Sequence, residues 1–388
     1  MFCGPAGRRG CVGLLHCSWS LTTSPRTLAI PRCPLLTSRS FSISANVKYS
    51  THNEVNQPLK QWDLLVSPYS TVRVQLGCSI SIHPLDPHAF PEADRVFIRV
   101  HGTDTEQAIG LDYLQVHYDD QSKELLISAK KVNHSMSIDL TAPIKSNLLI
   151  TTQGQGNVQV KNMECDICKV QTEKGNCLLQ SIKAQQVEVQ SQGGHVTGVG
   201  TIHGNVDIST CGDSGVDFKK LQGTKMNIST ERGPLKVKAI YAESSCISSC
   251  SGRVELGHVH GNTTVKNVSG DTVVDGSNSF LEVSSHSGGI DVYVGDGGSA
   301  KLHSQEGAVC VRVPSSLKAG VELCGTSVDI SPEVGLHGVE NNTTEGQTTV
   351  TGYMNGESPM DHWVKAQADR NSVRLKTQSW FESLKLGG

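Results

Sequence analysis

Two cysteines three apart, Cys165 and Cys168, are the residues whose type and spacing come nearest to chemistry. A CxxC pair can exchange thiol for disulfide, or supply half of a zinc site. Structural zinc asks for four ligands, and no second CxxC follows, since Cys246 and Cys250 are four apart. Neither a metal nor a redox role is therefore expected. Histidines are numerous but scattered. His258 and His260 flank the apolar Val259, which turns both toward solvent on a strand. His203 shares a column with His260 but lies roughly 14 Å away, at three strand spacings. No HExxH motif accompanies them. Asp207, Asp213 and Asp217 are the closest approach to an acidic cluster, and they read as solvated turn residues. Gly-Asp-Gly-Gly at 295–298 lacks the regular nonapeptide of calcium-binding solenoids. No P-loop, Gly-x-Ser-x-Gly or dinucleotide fingerprint is present. The expectation is no catalytic residue, no metal ligand and no cofactor.

The elements that would position any such group repeat every 18 to 20 residues between about 150 and 313. An apolar column runs Val170, Val189, Ile208, Ile228, Ile247, Val265, Val283 and Leu302. Two residues after each comes Thr172, Ser191, Thr210, Thr230, Ser249, Asn267, Ser285 and Ser304. Three further on comes Gly175, Gly194, Asp213, Gly233, Gly252, Gly270, Gly288 and Gly307. Apolar residues alternate on both sides of this unit, as in Val187 and Val189 or Leu235 and Val237. Alternation of period two puts them on one strand face. A third apolar column holds Met163, Ile182, Ile202, Leu221, Ile240 and Val259. Such a period means one unit stacked on copies of itself. The fold class expected is all-β, a β-solenoid of about 19-residue coils resembling a single-stranded β-helix. Glycine is expected at corners of positive φ, with the preceding hydroxyl bonding the turn backbone. Asp213, flanked by Gly212 and Gly215, predicts a locally longer turn.

The organisation expected is a leader over 1–41, a linker over 42–61, and a strand-rich N-terminal cap with the first coils over 62–149. The core repeats occupy 150–331, a Gly- and Thr-rich loop 332–360, and a last coil with a C-terminal cap 361–388. Asp119, Asp120, Gln121 and Ser122 predict a hairpin turn. Trp363, Trp380, Phe381 and Leu384 stand out in a chain with 5% aromatic residues. They read as a cap over an open solenoid end, which otherwise exposes unpaired strand edges. The rival reading is an interface.

No Asp or Glu precedes Glu54, whereas Arg8, Arg9, Arg26, Arg32 and Arg39 lie among many Ser and Thr. A basic, Ser-rich, acid-free start is the pattern of a mitochondrial transit peptide. Arg39-Ser40-Phe41-Ser42 matches a processing site with cleavage after Phe41, so Arg39, Phe41 and Ser42 are the processing residues and the matrix is the expected compartment. Loss of five Arg from 34 basic residues leaves 29 against 37 acidic ones, net −8. Nucleic acid is therefore not an expected partner. No run approaches the ~20 apolar residues of a membrane span. Four of the thirteen Cys also leave with the leader, and nine at irregular spacing make a poor disulfide framework.

Residues 137–160 read Ser-Ile-Asp-Leu-Thr-Ala-Pro, then Asn-Leu-Leu-Ile-Thr-Thr, then Gly-Asn-Val-Gln-Val, and run into the Val-x-Thr-x-x-Gly series. Over about residues 60–375 this resembles the putative-adhesin family of domains of unknown function. The resemblance implies a β-solenoid and brings no catalytic residues to carry over. Together these readings point to a non-catalytic mitochondrial scaffold that binds a protein partner. The alternatives are a self-assembling homo-oligomer, or an enzyme acting on an extended, glycan-like substrate.

Overall fold

The computed structural model describes residues 58–102, 114–129, 136–344, 346–356 and 361–379. Every element among them is a strand. The N-terminal region contributes β1 (Lys60–Leu65), β2 (Thr71–Leu76), β3 (Ser79–Pro84), β4 (Arg95–His101), β5 (Leu114–Asp119), β6 (Glu124–Ala129) and β7 (Ser137–Ala142). The repeats follow as β8 (Asn147–Thr152), β9 (Val158–Lys161), β10 (Glu164–Thr172), β11 (Cys177–Gln180), β12 (Lys183–Ser191), β13 (Val196–Thr210), β14 (Val216–Thr230), β15 (Leu235–Ser249) and β16 (Val254–Asn267). They continue as β17 (Thr272–Ser277), β18 (Phe280–Ser285), β19 (Ile290–Val294), β20 (Ser299–Ser304) and β21 (Val309–Val313). The C-terminal strands are β22 (Ala319–Gly325), β23 (Ser327–Ile330), β24 (Leu336–Thr344), β25 (Gln347–Met354), β26 (Trp363–Ala368) and β27 (Ser372–Thr377).

Neighbouring coils pair in parallel, with the repeat columns in register. Val170 faces Val189, which faces Ile208, then Ile228, Ile247, Val265, Val283 and Leu302. Each is essentially inaccessible to solvent, as are the third-column residues Met163 to Val259. One Val or Leu withdrawn from water in this way is worth about 1.5–3 kcal/mol, and only the coil above and below can withdraw it. In β13 through β16 the strand runs unbroken through the third corner. From β17 on, the chain breaks there into separate strands at 278–279, 295–298 and 314–318.

The glycine column has a different cause from the one expected. Gly175, Gly194, Gly233, Gly252, Gly270, Gly288 and Gly307 do not adopt positive φ. A Cβ on any of them would instead fall well inside van der Waals contact of a backbone carbonyl in the coil before, that of Gly156, Gly175, Ser214, Gly233, Gly252, Gly270 and Gly288 respectively. Stacked turns approach so closely that only a residue without a side chain fits. Around Asp213 the turn is one residue longer, spanning 211–215 where the next spans 231–234, as the sequence predicts.

Both ends depart from simple stacking. The coil β2–β3 lies between the coils β6–β7 and β8–β9, pairing with both. At the other end β26 lies between β20 and β22, and β27 between β21 and β23. The first and last coils in sequence are thus wedged one place inside the ends of the stack. Antiparallel strands then cover parts of the outer coils: β5 on β6, β4 and β1 on β7, and β25 and β24 on β22. Asp119 to Glu124 close the expected hairpin, with Lys123 at φ 53°. The segment 332–360, expected to be a loop, instead carries the β24–β25 hairpin. Its Thr-rich stretch alternates weakly because β24 is exposed along nearly its whole length. Trp363 lies on the wedged β26 rather than over an open end, edge-on to Tyr353 at 6.2 Å, with Lys365 Nζ 5.3 Å from its ring. Trp380, Phe381 and Leu384 lie outside the described residues, as do Arg39, Phe41 and Ser42.

Candidate functional site

The hydroxyl column splits by residue type. The Oγ atoms of Ser191, Ser249, Ser285 and Ser304 each accept the backbone N–H three residues on, from Gly194, Gly252, Gly288 and Gly307. Asn267 takes the same place, its Oδ1 accepting from Gly270 N while Nδ2 donates to the carbonyl of Gly252. Thr210 Oγ1 donates to the carbonyl of Ser214 across the longer turn. Thr152, Thr172 and Thr230 are buried with Oγ1 unpaired among the described residues. This is turn chemistry within each coil rather than a row of nucleophiles. On the outward side an amide relay runs along the coils: Asn157 Oδ1 accepts from Asn176 N, and Asn176 Oδ1 from His195 N. His195 Nδ1 accepts from Gly215 N.

Charged side chains on the strand faces pair with the coil beside them. Glu164 meets Lys183 at 2.7 Å, Lys169 meets Glu188 at 2.8 Å and Glu282 meets Lys301 at 2.9 Å. Asp329 meets Arg374 at 3.0 Å and Glu322 meets Lys365 at 2.7 Å. Lys183 and Lys145 donate to Glu164 and hold its carboxyl below the ordinary range. Asp207 and Asp217 are exposed, and Asp213 pairs with Arg232 at 2.9 Å, so the three do not converge. His203 is exposed, and His260 stacks on Tyr241 with centroids 4.6 Å apart.

The CxxC pair does not form a reactive dithiol. Cys168 sits on the inward face between Leu148 and Val187, and burial pushes its thiol well above the ordinary value. Burial likewise lifts Cys165 to about 12, with Asp166 adding to it. Both remain free thiols, and Cys165 Sγ donates to the carbonyl of Ile167 at 3.4 Å. Thiolates are the reactive species, so neither sulfur is activated. Among the described residues no group of three or more His, Cys, Asp or Glu side chains is placed to hold a metal ion.

The structure brings together one set of polar groups that sequence reading did not single out. At the C-terminal end of the repeats, the broken corners open a cleft of about 910 Å³. Tyr293, Asp296, Ser316, Glu333 and Gln378 line it, from four coils. Behind it lies Arg312, only 2% exposed. Its Nε donates to Asp291 at 2.5 Å, Nη1 to Gln378 Oε1 at 3.1 Å, and Nη2 to the carbonyl of Val274 at 3.2 Å and to Asp275 at 3.4 Å. Alternation predicts an outward, solvated Arg312 and Tyr293, since Val292, Val294, Val311 and Val313 take the inward positions. Both are instead buried, and only the uninterrupted burial of 292–294 and 311–313 marks the place. Four of the five N–H donors of the guanidinium bond four neighbours, so it braces three coils and the residue after β27.

The family pattern of the Toastrack DUF4097 domain matches residues 114–210 and 198–369. The chain belongs to the Toastrack DUF4097 family. Those residues include every repeat coil from β10 to β21 and the wedged β26, so the Toastrack pattern is the solenoid itself. Among solved structures, a putative adhesin from Parabacteroides merdae is 13% identical over 62% of this chain and 94% of its own, with a TM-score of 0.38. A putative adhesin from Bacteroides fragilis is 16% identical over 66% of this chain and 97% of its own, with a TM-score of 0.28. A putative lipid binding protein from Parabacteroides distasonis is 12% identical over 82% of this chain and 96% of its own, with a TM-score of 0.32. Likeness at this level carries no argument about what the Toastrack solenoid binds. No helix among the described residues is long and apolar enough to cross a membrane.

Proposed function

We propose that this Toastrack chain is a non-catalytic mitochondrial scaffold that presents the faces of its solenoid to a protein partner. The observation that supports it most is the way polar groups are spent. Serine hydroxyls of the turns bond their own turns, strand-face charges pair with the next coil, and four of the five N–H donors of the buried Arg312 are taken by its neighbours. Among the described residues, what the coils leave for function is extended surface rather than a convergent set of reactive groups. The trio Arg312, Asp275 and Asp291 is what an enzyme reading would need, but its cation is only 2% exposed and keeps a single N–H beyond its four contacts. The test is purification of the tagged endogenous protein from gently lysed mitochondria, with native-size analysis and mass spectrometry. One stoichiometric companion is expected, and failure to recover any reproducible partner rejects the scaffold.

A second reading, self-assembly, has one feature in its favour. The edge strand β24 is exposed along its length and pairs only with β25 among the described residues. An open edge of this kind can accept another strand. A complex containing only this chain would favour it. For the compartment, we propose that 1–41 directs import to the matrix and is removed between Phe41 and Ser42. Sequencing the endogenous N terminus checks this, and a chain that still begins upstream of Arg39 rejects it.

A further inference from the structure

The chain holds one Asn-Gly pair, Asn355-Gly356, at the exit of β25. Every other Asn precedes a residue with a side chain. The difference is chemical. A backbone nitrogen can attack the side-chain amide of the residue before it, and glycine, without a Cβ, leaves that approach least hindered. Asn355 is exposed and takes φ 51°, so the backbone turns out of the sheet at this point. Its amide is also a tether. Nδ2 donates to the carbonyl of Ser315 at 2.7 Å and to that of Leu317 at 2.9 Å. An amide nitrogen has two hydrogens, and both are used here. The bonded carbonyls belong to the corner 314–318, which joins β21 to β22 and carries the fully buried Leu317. The same corner supplies Pro314, Ser315 and Ser316 to the cleft wall. The Asn most open to attack by its neighbour is thus the one whose amide hydrogens hold this corner.

We propose that Asn355 is a deamidation site and that its conversion releases the 314–318 corner. Gly356 N attacks Asn355 Cγ and gives up its proton to solvent. The Cγ–Nδ2 bond breaks, Nδ2 leaves as ammonia, and a cyclic imide remains. Water opens the imide at one carbonyl or the other, leaving aspartate or isoaspartate. Nothing is oxidised or reduced, and water is the only co-reactant. The aspartate product has an oxygen where Nδ2 stood. The carbonyls of Ser315 and Leu317, which accepted hydrogen bonds, then face a carboxylate, which only accepts. Isoaspartate also places Cβ in the main chain, just beyond the Met354–Ala319 pair that joins β25 to β22. The closed tether fixes the amide and slows attack, so conversion passes through an opening of the tether that the product cannot reverse. The site does not rest on the scaffold reading, because no partner takes part in the step.

The test is peptide mass spectrometry of the folded full chain, held at neutral pH and body temperature and sampled over weeks, with the aspartate and isoaspartate forms separated by retention. Conversion is expected at Asn355 ahead of Asn262 and Asn342, which are exposed but precede threonine. Gly356→Ala leaves the tether in place and should slow conversion at Asn355 several-fold without changing the other two. Release of the corner is read by hydrogen exchange of the 314–318 amides. In Asn355→Asp they should exchange at least about fivefold faster than in the parent, the worth of two net hydrogen bonds. Asn355→Ala loses the same bonds without adding a charge and should fall between the two. Exchange at the distant turn 231–234 should not change. If Asn355→Asp does not fold, the corner is read instead in the parent chain after it has aged. The proposal is overturned if Asn355 stays intact while Asn262 or Asn342 converts, or if Gly356→Ala converts as fast as the parent. It also fails if the corner exchanges alike before and after conversion.

Discussion

Serine and threonine share a column in this chain but not a role. Ser249 Oγ accepts the N–H of Gly252 and donates to the carbonyl of the same residue. Ser249→Ala should therefore cost about 0.5–1.5 kcal/mol per lost bond, read as a fall in the denaturation midpoint. Thr230 occupies the preceding coil with Oγ1 buried and unpaired. Thr230→Val removes no bond and should be neutral or slightly stabilising. Equal losses at the two positions would mean that the hydroxyls act alike and that this turn geometry is wrong. Glycine divides in the same way. A Cβ at Gly252 would collide with the carbonyl of Gly233, whereas Gly335 has nothing within 4 Å. Gly252→Ala should destabilise by about 1–3 kcal/mol or more, the usual cost of overpacking, while Gly335→Ala should change little. Thermal unfolding of the two variants checks the contrast.

The coil is the unit of exchange along the stack. Removing 235–253 takes out one whole period, joins Pro234 to Val254, and leaves every inward column aligned. Stability in stacked repeats is a sum of nearest-neighbour terms, so this chain should still fold, one coil shorter. Removing 361–379 with the residues after it takes away a comparable length with a different result. It strips β26 from between β20 and β22, and β27 from between β21 and β23, leaving two open ladders facing a gap. Loss of a single cooperative transition, or aggregation, is expected. Circular dichroism and sedimentation of both deletions decide it, and a truncated chain as well behaved as the coil deletion would show that the wedge is not a lock.

At the scale of the whole molecule the thiols report how the core is filled. Cys78, Cys165 and Cys177 are buried and pushed to about 12 from an ordinary 9.0. The folded chain thus holds protons that the unfolded chain releases between those values. The stability they contribute is whole below pH 9 and is lost as pH climbs toward 12. Denaturation midpoints should fall across that window. At pH 8 a thiol reagent should modify Cys211, Cys246 and Cys250, which are exposed, and reach Cys78, Cys165, Cys168 and Cys177 only after unfolding. Rapid native labelling of Cys165 and Cys168 would revive a redox role for the pair.

The all-β class, the coil length, the inward columns and the longer turn at Asp213 were legible because a period-two pattern inside a 19-residue period admits few other folds. The strand-rich character of 62–149 was equally plain, since its alternation is local. What the glycines are for was not legible, because the reason lies in the neighbouring coil's carbonyl and not in the residue's own φ. The order of coils at the two ends was hidden too. A strand carries no mark of which edge it will occupy, and β2–β3 and β26–β27 reach theirs only by pairing with strands distant in sequence. The same placement decides the candidate site: Glu333, Gln378 and Asp296 are far apart along the chain and become neighbours only once β27 has slid between β21 and β23. Local pattern determined what a coil is. Long-range pairing decided where the terminal coils go, and with them which polar groups share a cleft.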